Sequence, residues 1–180
     1  MSGVFILIID DSREIVKHLT ETVLPTFGYR TLYAYDGQTG LELIREKDPD
    51  LVMLDYNLPQ MTGLDVLQQM AQESLKTPVV LMTGYGSELS AIEAFRLGAK
   101  DYIIKPIDAE ELSQSVDKAL RESRLQNERD QLVEQLMESN SQLQRRAQEL
   151  NVLYGVGKSV SSSLDLEEVL QRVVEAAVYV

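Results

Sequence analysis

Five short apolar runs punctuate the first 105 residues: VFILII (4–9), RTLYAY (30–35), LVMLD (51–55), PVVLM (78–82) and DYIIK (101–105). Between them the apolar residues fall at helical spacing. Ile15, Leu19, Val23 and Leu24 form one such set, Leu41, Leu43 and Ile44 a second, Leu64, Leu67, Met70 and Ala71 a third, and Leu89, Ile92, Ala94 and Phe95 a fourth. This alternation constrains the fold more than any other feature. Near-continuous apolar strands separated by amphipathic helices specify an α/β architecture, a parallel sheet covered on both faces. Its crossovers should be right-handed.

The punctuation agrees with the pattern. Pro49-Asp50 and Thr77-Pro78 precede the third and fourth strands, and Gly28 and Gly98 stand where helices should stop. Asp108 and Glu111 have the spacing of a capping box that opens the last helix.

In an open parallel sheet, sites form beyond the carboxyl ends of the strands. The polar residues at those ends can be read directly. The first strand delivers Asp10 and Asp11, the third Asp55, the fourth Thr83 with Gly84, and the fifth Lys105 with Pro106. Tyr35-Asp36-Gly37, after the second strand, reads as a turn. Three carboxylates gathered in one crevice stay ionised only with a cation among them. Hard oxygen donors favour Mg2+, which keeps part of its shell as water and suits a phosphoryl group. Lys105 adds a positive charge and Thr83 a hydroxyl donor. The set therefore combines a metal site, a carboxylate nucleophile and two groups that stabilise phosphoryl oxygens. Each residue alone would pass for an ordinary strand-end polar group, and the four-strand coincidence is what carries the reading.

The motifs IDD (9–11), LDYNLPQMTG (54–63), MTGYG (82–86) and DYIIKP (101–106) make residues 3–122 similar to the response-regulator receiver domain of two-component signalling. The resemblance implies a flavodoxin-like, five-stranded parallel sheet of order 2-1-3-4-5 with five helices. It implies that Asp55 is the phosphoacceptor, and that Asp10, Asp11, Asp55 and the backbone carbonyl of Asn57 hold Mg2+, with Asp11 a more direct ligand than Asp10. It further implies that Thr83 and Tyr102 are switch residues, that Lys105 pairs with the phosphoryl group, and that the Lys105–Pro106 bond is cis. The donor would be a histidine kinase or a phosphotransfer protein. Gly84 stands where the family often has Ala, which should loosen that loop. Tyr85 and Asn57 occupy positions that tune dephosphorylation.

After Asp108 the texture changes. No Gly or Pro occurs between 109 and 154, and the segment is rich in Gln, Glu, Arg, Leu and Ser. So long a helix must pack outside its own domain. Val133, Leu136, Asn140, Leu143, Ala147, Leu150 and Tyr154 alternate in steps of three and four, an a/d seam with Asn140 at a core position. That pattern predicts a homodimeric coiled coil. Leu125 and Leu132 fall outside this register, so a stutter is expected before 133. Gly155, Gly157 and Ser161–Ser163 should break or bend the helix. Gly157-Lys158-Ser159 is similar to the end of a phosphate-binding P-loop, but Val152 stands where the motif needs Gly. Asp165 to Glu168 reads as a second capping box, and Leu166 to Val178 as an apolar stripe. Residues from about 150 to 180 resemble the entry of a GAF sensory domain, which would make the sequence a truncated piece. The expected organisation is a receiver over 1–122, a coiled-coil linker over 123–154, and an amphipathic helix over 155–180.

Composition excludes several classes. The chain has no cysteine, which removes disulfides, thiolate metal sites and Cys nucleophiles. A net charge of -12 and no basic stripe argue against nucleic-acid binding. No apolar run reaches the roughly 20 residues that span a bilayer, and no signal sequence is visible, so a cytoplasmic protein is expected. His18, the only histidine, lacks the surroundings of a phosphodonor and reads as structural. The function predicted is a signalling phosphoacceptor, not an enzyme with external substrates, relaying its state through the dimeric helix to an output. Two rivals remain: a metal-dependent aspartyl phosphatase, which would need a cap that the spacing leaves no room for, and an inert dimeric adaptor.

Overall fold

The computed structural model describes residues 3–84, 88–163, 170–171 and 174–175. Its strands are β1 (Phe5–Ile9), β2 (Arg30–Ala34), β3 (Leu51–Asp55), β4 (Val79–Thr83) and β5 (Asp101–Ile104). They form one parallel sheet of order β2-β1-β3-β4-β5. The helices are α1 (Arg13–Lys17), α2 (Gly37–Lys47), α3 (Gly63–Gln72), α4 (Glu88–Arg96) and α5 (Ala109–Ser163).

Side chains alternate across the pleat, so the central strands β1, β3 and β4 each feed two cores. On one face Ile6, Ile8, Leu51, Met53, Val80, Met82 and Ile103 pack with Val16 and Leu19 and with Leu112, Val116 and Ala119 of α5. On the other, Leu7, Ile9, Val52, Leu54, Val79 and Leu81 pack with Leu41 and Ile44 of α2 and Val66, Leu67 and Met70 of α3. Every residue of β3 and β4 is buried, which is why these strands read as unbroken apolar runs.

The first helix departs from its expected form. It is α-helical only over Arg13–Lys17, then widens into a π-helical stretch over His18–Val23 and tightens to 3₁₀ over Leu24–Phe27. Pro25 has no N–H to donate, and the Thr20 hydroxyl takes the Val16 carbonyl at 2.8 Å, so the regular ladder cannot continue. Val16, Leu19, Val23 and Leu24 still share one buried stripe. Gly28 ends this segment at φ 76° and Gly98 ends α4 at φ 105°, left-handed values that favour glycine. Asp36 is more than a turn residue: its carboxylate accepts from the Thr39 N–H at 2.8 Å and caps α2. In α4, Ala94 is buried while Ile92 and Phe95 are exposed.

Asp108 accepts from the backbone N–H groups of Glu110 and Glu111 at 2.9 and 3.1 Å and starts α5. The helix then runs 55 residues. Gly155 and Gly157 do not break it. A helical Gly costs only about 1 kcal/mol relative to Ala, too little to stop a helix already nucleated over many turns. The chain divides into two compact units, Met1–Asn127 and Glu128–Val180. In the second, Val133, Leu136, Leu143, Leu150 and Tyr154 are all exposed on the single chain. The second capping box (165–168), most of the 166–178 stripe, and residues 164–169, 172–173 and 176–180 of the GAF-like stretch lie outside the described residues. No helix among the described residues is long and apolar enough to cross a membrane.

Candidate functional site

The strands bring their polar ends together because the sheet is parallel and in register. Asp10 follows Ile9, and its N–H donates to the Ala34 carbonyl at 3.1 Å, fixing the end of β1 against β2. Asp55 closes β3 opposite Met82, and the next amide, Tyr56, donates to the Met82 carbonyl at 2.9 Å. Thr83 closes β4 opposite Ile104, and its carbonyl accepts from the Lys105 N–H at 2.7 Å. Four strand ends therefore meet with their relative positions set by backbone bonds alone.

Asp10, Asp55 and Thr83 are buried, and Asp11 is exposed at the rim. Carboxylate oxygens of Asp10, Asp11 and Asp55 lie within 4.8 Å of one another. The Lys105 ammonium bridges two of them, at 2.7 Å from Asp10 Oδ2 and 2.8 Å from Asp55 Oδ1. Asp10 Oδ1 accepts from the Ser12 N–H at 2.9 Å. Both Asp10 oxygens are thus engaged, whereas Asp11 faces outward.

The electrostatics follow from burial. Loss of solvent pushes the Asp55 carboxyl above its usual range; the Lys105 hydrogen bond pulls it back, and the charges of Asp10 and Asp11 push it up again. Burial works against the Lys105 ammonium, but its bonds to Asp10 and Asp55 outweigh that and hold its pKa above the ordinary lysine value. Three carboxylates against one ammonium leave a negative excess, and their all-oxygen donor set fits a small hard cation such as Mg2+.

The other site residues predicted from sequence are placed as follows. Asn57 lies exposed in the loop after β3. Tyr102 sits in β5 away from the acid cluster, its ring exposed and edge-on to Phe95 with centroids 6.0 Å apart. The Lys105–Pro106 bond is cis. A Cβ on Gly84 would meet nothing within 4 Å, so this position is open. Tyr85 lies outside the described residues. His18 is exposed on the first helical segment.

Two contributors escaped the sequence reading. A Cβ on Gly63 would run into the Asp55 carbonyl oxygen, so only glycine lets α3 start so close to the acceptor strand. Thr62 and Asp65 form a full capping box at that start, with Asp65 Oδ2 2.7 Å from the Thr62 N–H and Thr62 Oγ1 3.2 Å from the Asp65 N–H. The Thr62-x-x-Asp65 spacing carried the capping signal, whereas nothing local marked Gly63.

The model of the response regulator receiver domain family matches residues 6–117. The regulatory protein AtoC of Escherichia coli is 40% identical over 116 residues, which are 64% of this chain and 25% of AtoC. The regulatory protein LuxO of Vibrio cholerae is 44% identical over 95 residues, 52% of this chain and 21% of LuxO. The chain thus spans about a quarter of the length of these curated relatives. Among solved structures, a response regulator receiver domain protein from Clostridium thermocellum matches with TM-score 0.64 at 30% identity, covering 68% of this chain and 98% of that one. NtrX from Brucella abortus matches with TM-score 0.66 at 33% identity, over 72% of this chain and 29% of NtrX.

Proposed function

The chain belongs to the response regulator receiver domain family, and on that footing we propose that Asp55 takes a phosphoryl group from the phosphohistidine of a sensor kinase or phosphotransfer protein. The observation that carries this reading is the Lys105 ammonium, which reaches from the end of β5 to sit between Asp10 and Asp55 at the ends of the adjacent strands β1 and β3. In the transfer, an Asp55 carboxylate oxygen bonds to phosphorus while the P–N bond of the donor breaks. The electron pair leaves with the imidazole, which takes up a proton.

Asp10, Asp11, Asp55 and the Asn57 carbonyl are the groups that would hold Mg2+. When bound, the ion supplies positive charge next to the transferred oxygens. Lys105 already stands within hydrogen-bond distance of the nucleophile and can follow the new phosphoryl group. Thr83, at the end of the adjacent strand, offers a hydroxyl to another phosphoryl oxygen. A shift of Thr83 frees space for Tyr102, whose exposed ring rests edge-on against Phe95. That rearrangement biases the α4–β5–α5 face, and α5 carries the bias into a helical pairing with a second copy. The unit acts as a cytoplasmic signalling acceptor, not as an enzyme turning over external substrates.

The test is uptake of label from a small phosphodonor such as acetyl phosphate with Mg2+. The native chain should form one acid-stable, base-labile acyl phosphate, and Asp55→Asn should form none. Undiminished labelling of Asp55→Asn would sink the assignment.

A further inference from the structure

Leu136, Leu143 and Leu150, seven residues apart, form an apolar spine along the outer part of α5. Two different rows flank it. Val133, Asn140, Ala147 and Tyr154 lie on one side, and Leu132, Ser139, Arg146 and Leu153 on the other. Each row, taken with the spine, has alternating steps of three and four. The apolar members of both rows are exposed, from 43% at Val133 to 75% at Tyr154. At 100° per residue the flanking rows stand about 50° to either side of the spine, so the centres of the two seams differ by about 50° of rotation. The helix therefore has two usable seams that share the same three leucines.

We propose that a second copy of this chain packs in parallel against α5 through either seam, and that phosphoryl transfer to Asp55 shifts the pair from the Asn140 seam to the Arg146 seam. The trigger rests on the phosphoacceptor reading; the existence of two seams does not.

The charges point to a copy of the same chain as the occupant. A chain of net charge -12 can pair with itself only if its acids stay off the contact. Glu134 and Glu138 lie on the opposite side of the helix from the spine, and Glu149 is about 100° away from it. The Asn140 seam has one polar residue, which pairs with its own symmetry mate and fixes register. The Arg146 seam sets a guanidinium in the contact row and turns Glu149 to its rim, so the buried charge meets an acid of the other copy. Burying Arg146 costs more than burying Asn140, which makes the Asn140 seam the resting one. Leu125, seven residues before Leu132, extends only the Arg146 seam toward the receiver, where the Asn140 seam has Gln126. A change that draws the start of α5 into contact thus favours the Arg146 seam.

The native chain contains no cysteine, so single introduced thiols report pairing without background. Val133→Cys and Tyr154→Cys report the first seam, Leu132→Cys and Leu153→Cys the second, and Glu138→Cys on the far side sets the baseline. Under mild oxidation the first pair should cross-link well above Glu138→Cys. Beryllofluoride with Mg2+ should raise the second pair about fivefold and lower the first. Arg146→Leu, with no phosphoryl mimic, should produce the same exchange by removing the charge. Leu132→Cys and Leu153→Cys staying at baseline in both the mimic and the Arg146→Leu backgrounds would overturn the proposal. So would a parallel rise of all four. If Arg146→Leu exchanges the seams but the mimic does not, the two seams stand and the trigger fails, and labelling of Asp55 in the same samples tells whether the acceptor reading fails with it.

Discussion

The carboxyl end of the sheet and the outer half of α5 are built on opposite plans. At the sheet, carboxylates sit where a core would place apolar groups: Asp10 and Asp55 are buried beside Leu54 and Ile9. On the helix, leucines sit where a surface would place charges. Each region leaves something unbalanced, negative charge in one and apolar surface in the other. The buried acids call for a cation, and the exposed leucines call for another apolar face. A region's missing partner can therefore be inferred from the kind of group left unbalanced there.

The sharpest way to break this contrast is to cut a leucine in each region. Leu54 is 0% exposed and Leu143 61% exposed. Leu54→Ala should cost the receiver unit about 3 kcal/mol in a urea titration, and Leu143→Ala less than about 0.5 kcal/mol. Equal losses would mean that the helix face is already packed. Next in size is the metal. Mg2+ at a hundredfold excess over its dissociation constant should stabilise the receiver unit by about 2.7 kcal/mol, by mass action, and leave the melting of the helical unit unmoved. A gain shared by both units would detach the effect from the acid cluster.

Asp55→Asn sharpens the same point without metal. Burial above all, then the charges of Asp10 and Asp11, hold the Asp55 carboxyl above its ordinary range against the pull of Lys105. The folded chain then keeps its proton more readily than the unfolded one. The stability tied to this group is full below a pH of about 4 and falls as pH rises through the folded value. Asp55→Asn should therefore raise the Tm at neutral pH, with the gain fading toward acid. A lower Tm at neutral pH would show that the Lys105 pair outweighs the desolvation. The smallest effect is local to the loop that follows the acceptor. Gln60 holds φ at 71°, and Gln60→Gly should stabilise by about 0.5 kcal/mol in the same titration.

What could be read from the sequence depended on how far each signal reached along the chain. Strand ends are local, so Asp10, Asp55, Thr83 and Lys105 stood out as soon as the βα repeat was recognised. The strand order rested on the family resemblance, because no local pattern encodes which strands are neighbours. The fit of Gly63 against the Asp55 carbonyl was hidden because a glycine after a threonine looks like any helix start. The π-helical stretch at His18–Val23 was hidden because the buried stripe of Val16, Leu19 and Val23 keeps helical spacing whichever ladder the backbone uses. Gly155 and Gly157 were misleading in the other direction. Their local preference against helix is real, but it is smaller than the cooperativity of the long helix that runs through them.

The Gly63 N–H donates to the Tyr56 carbonyl at 2.8 Å, while its missing side chain lets it rest on the Asp55 carbonyl. Residues 56–63 are thereby buckled into a closed ring whose two ends meet beside the nucleophile. A ring tolerates changes of side chain but not of circumference. One residue inserted at 75–77, where the chain crosses from α3 to β4, only lengthens a surface crossing. One residue inserted between Tyr56 and Gly63 would unbuckle the ring and move Asn57 relative to Asp55, so in this stretch the number of residues matters more than the identity of most of them.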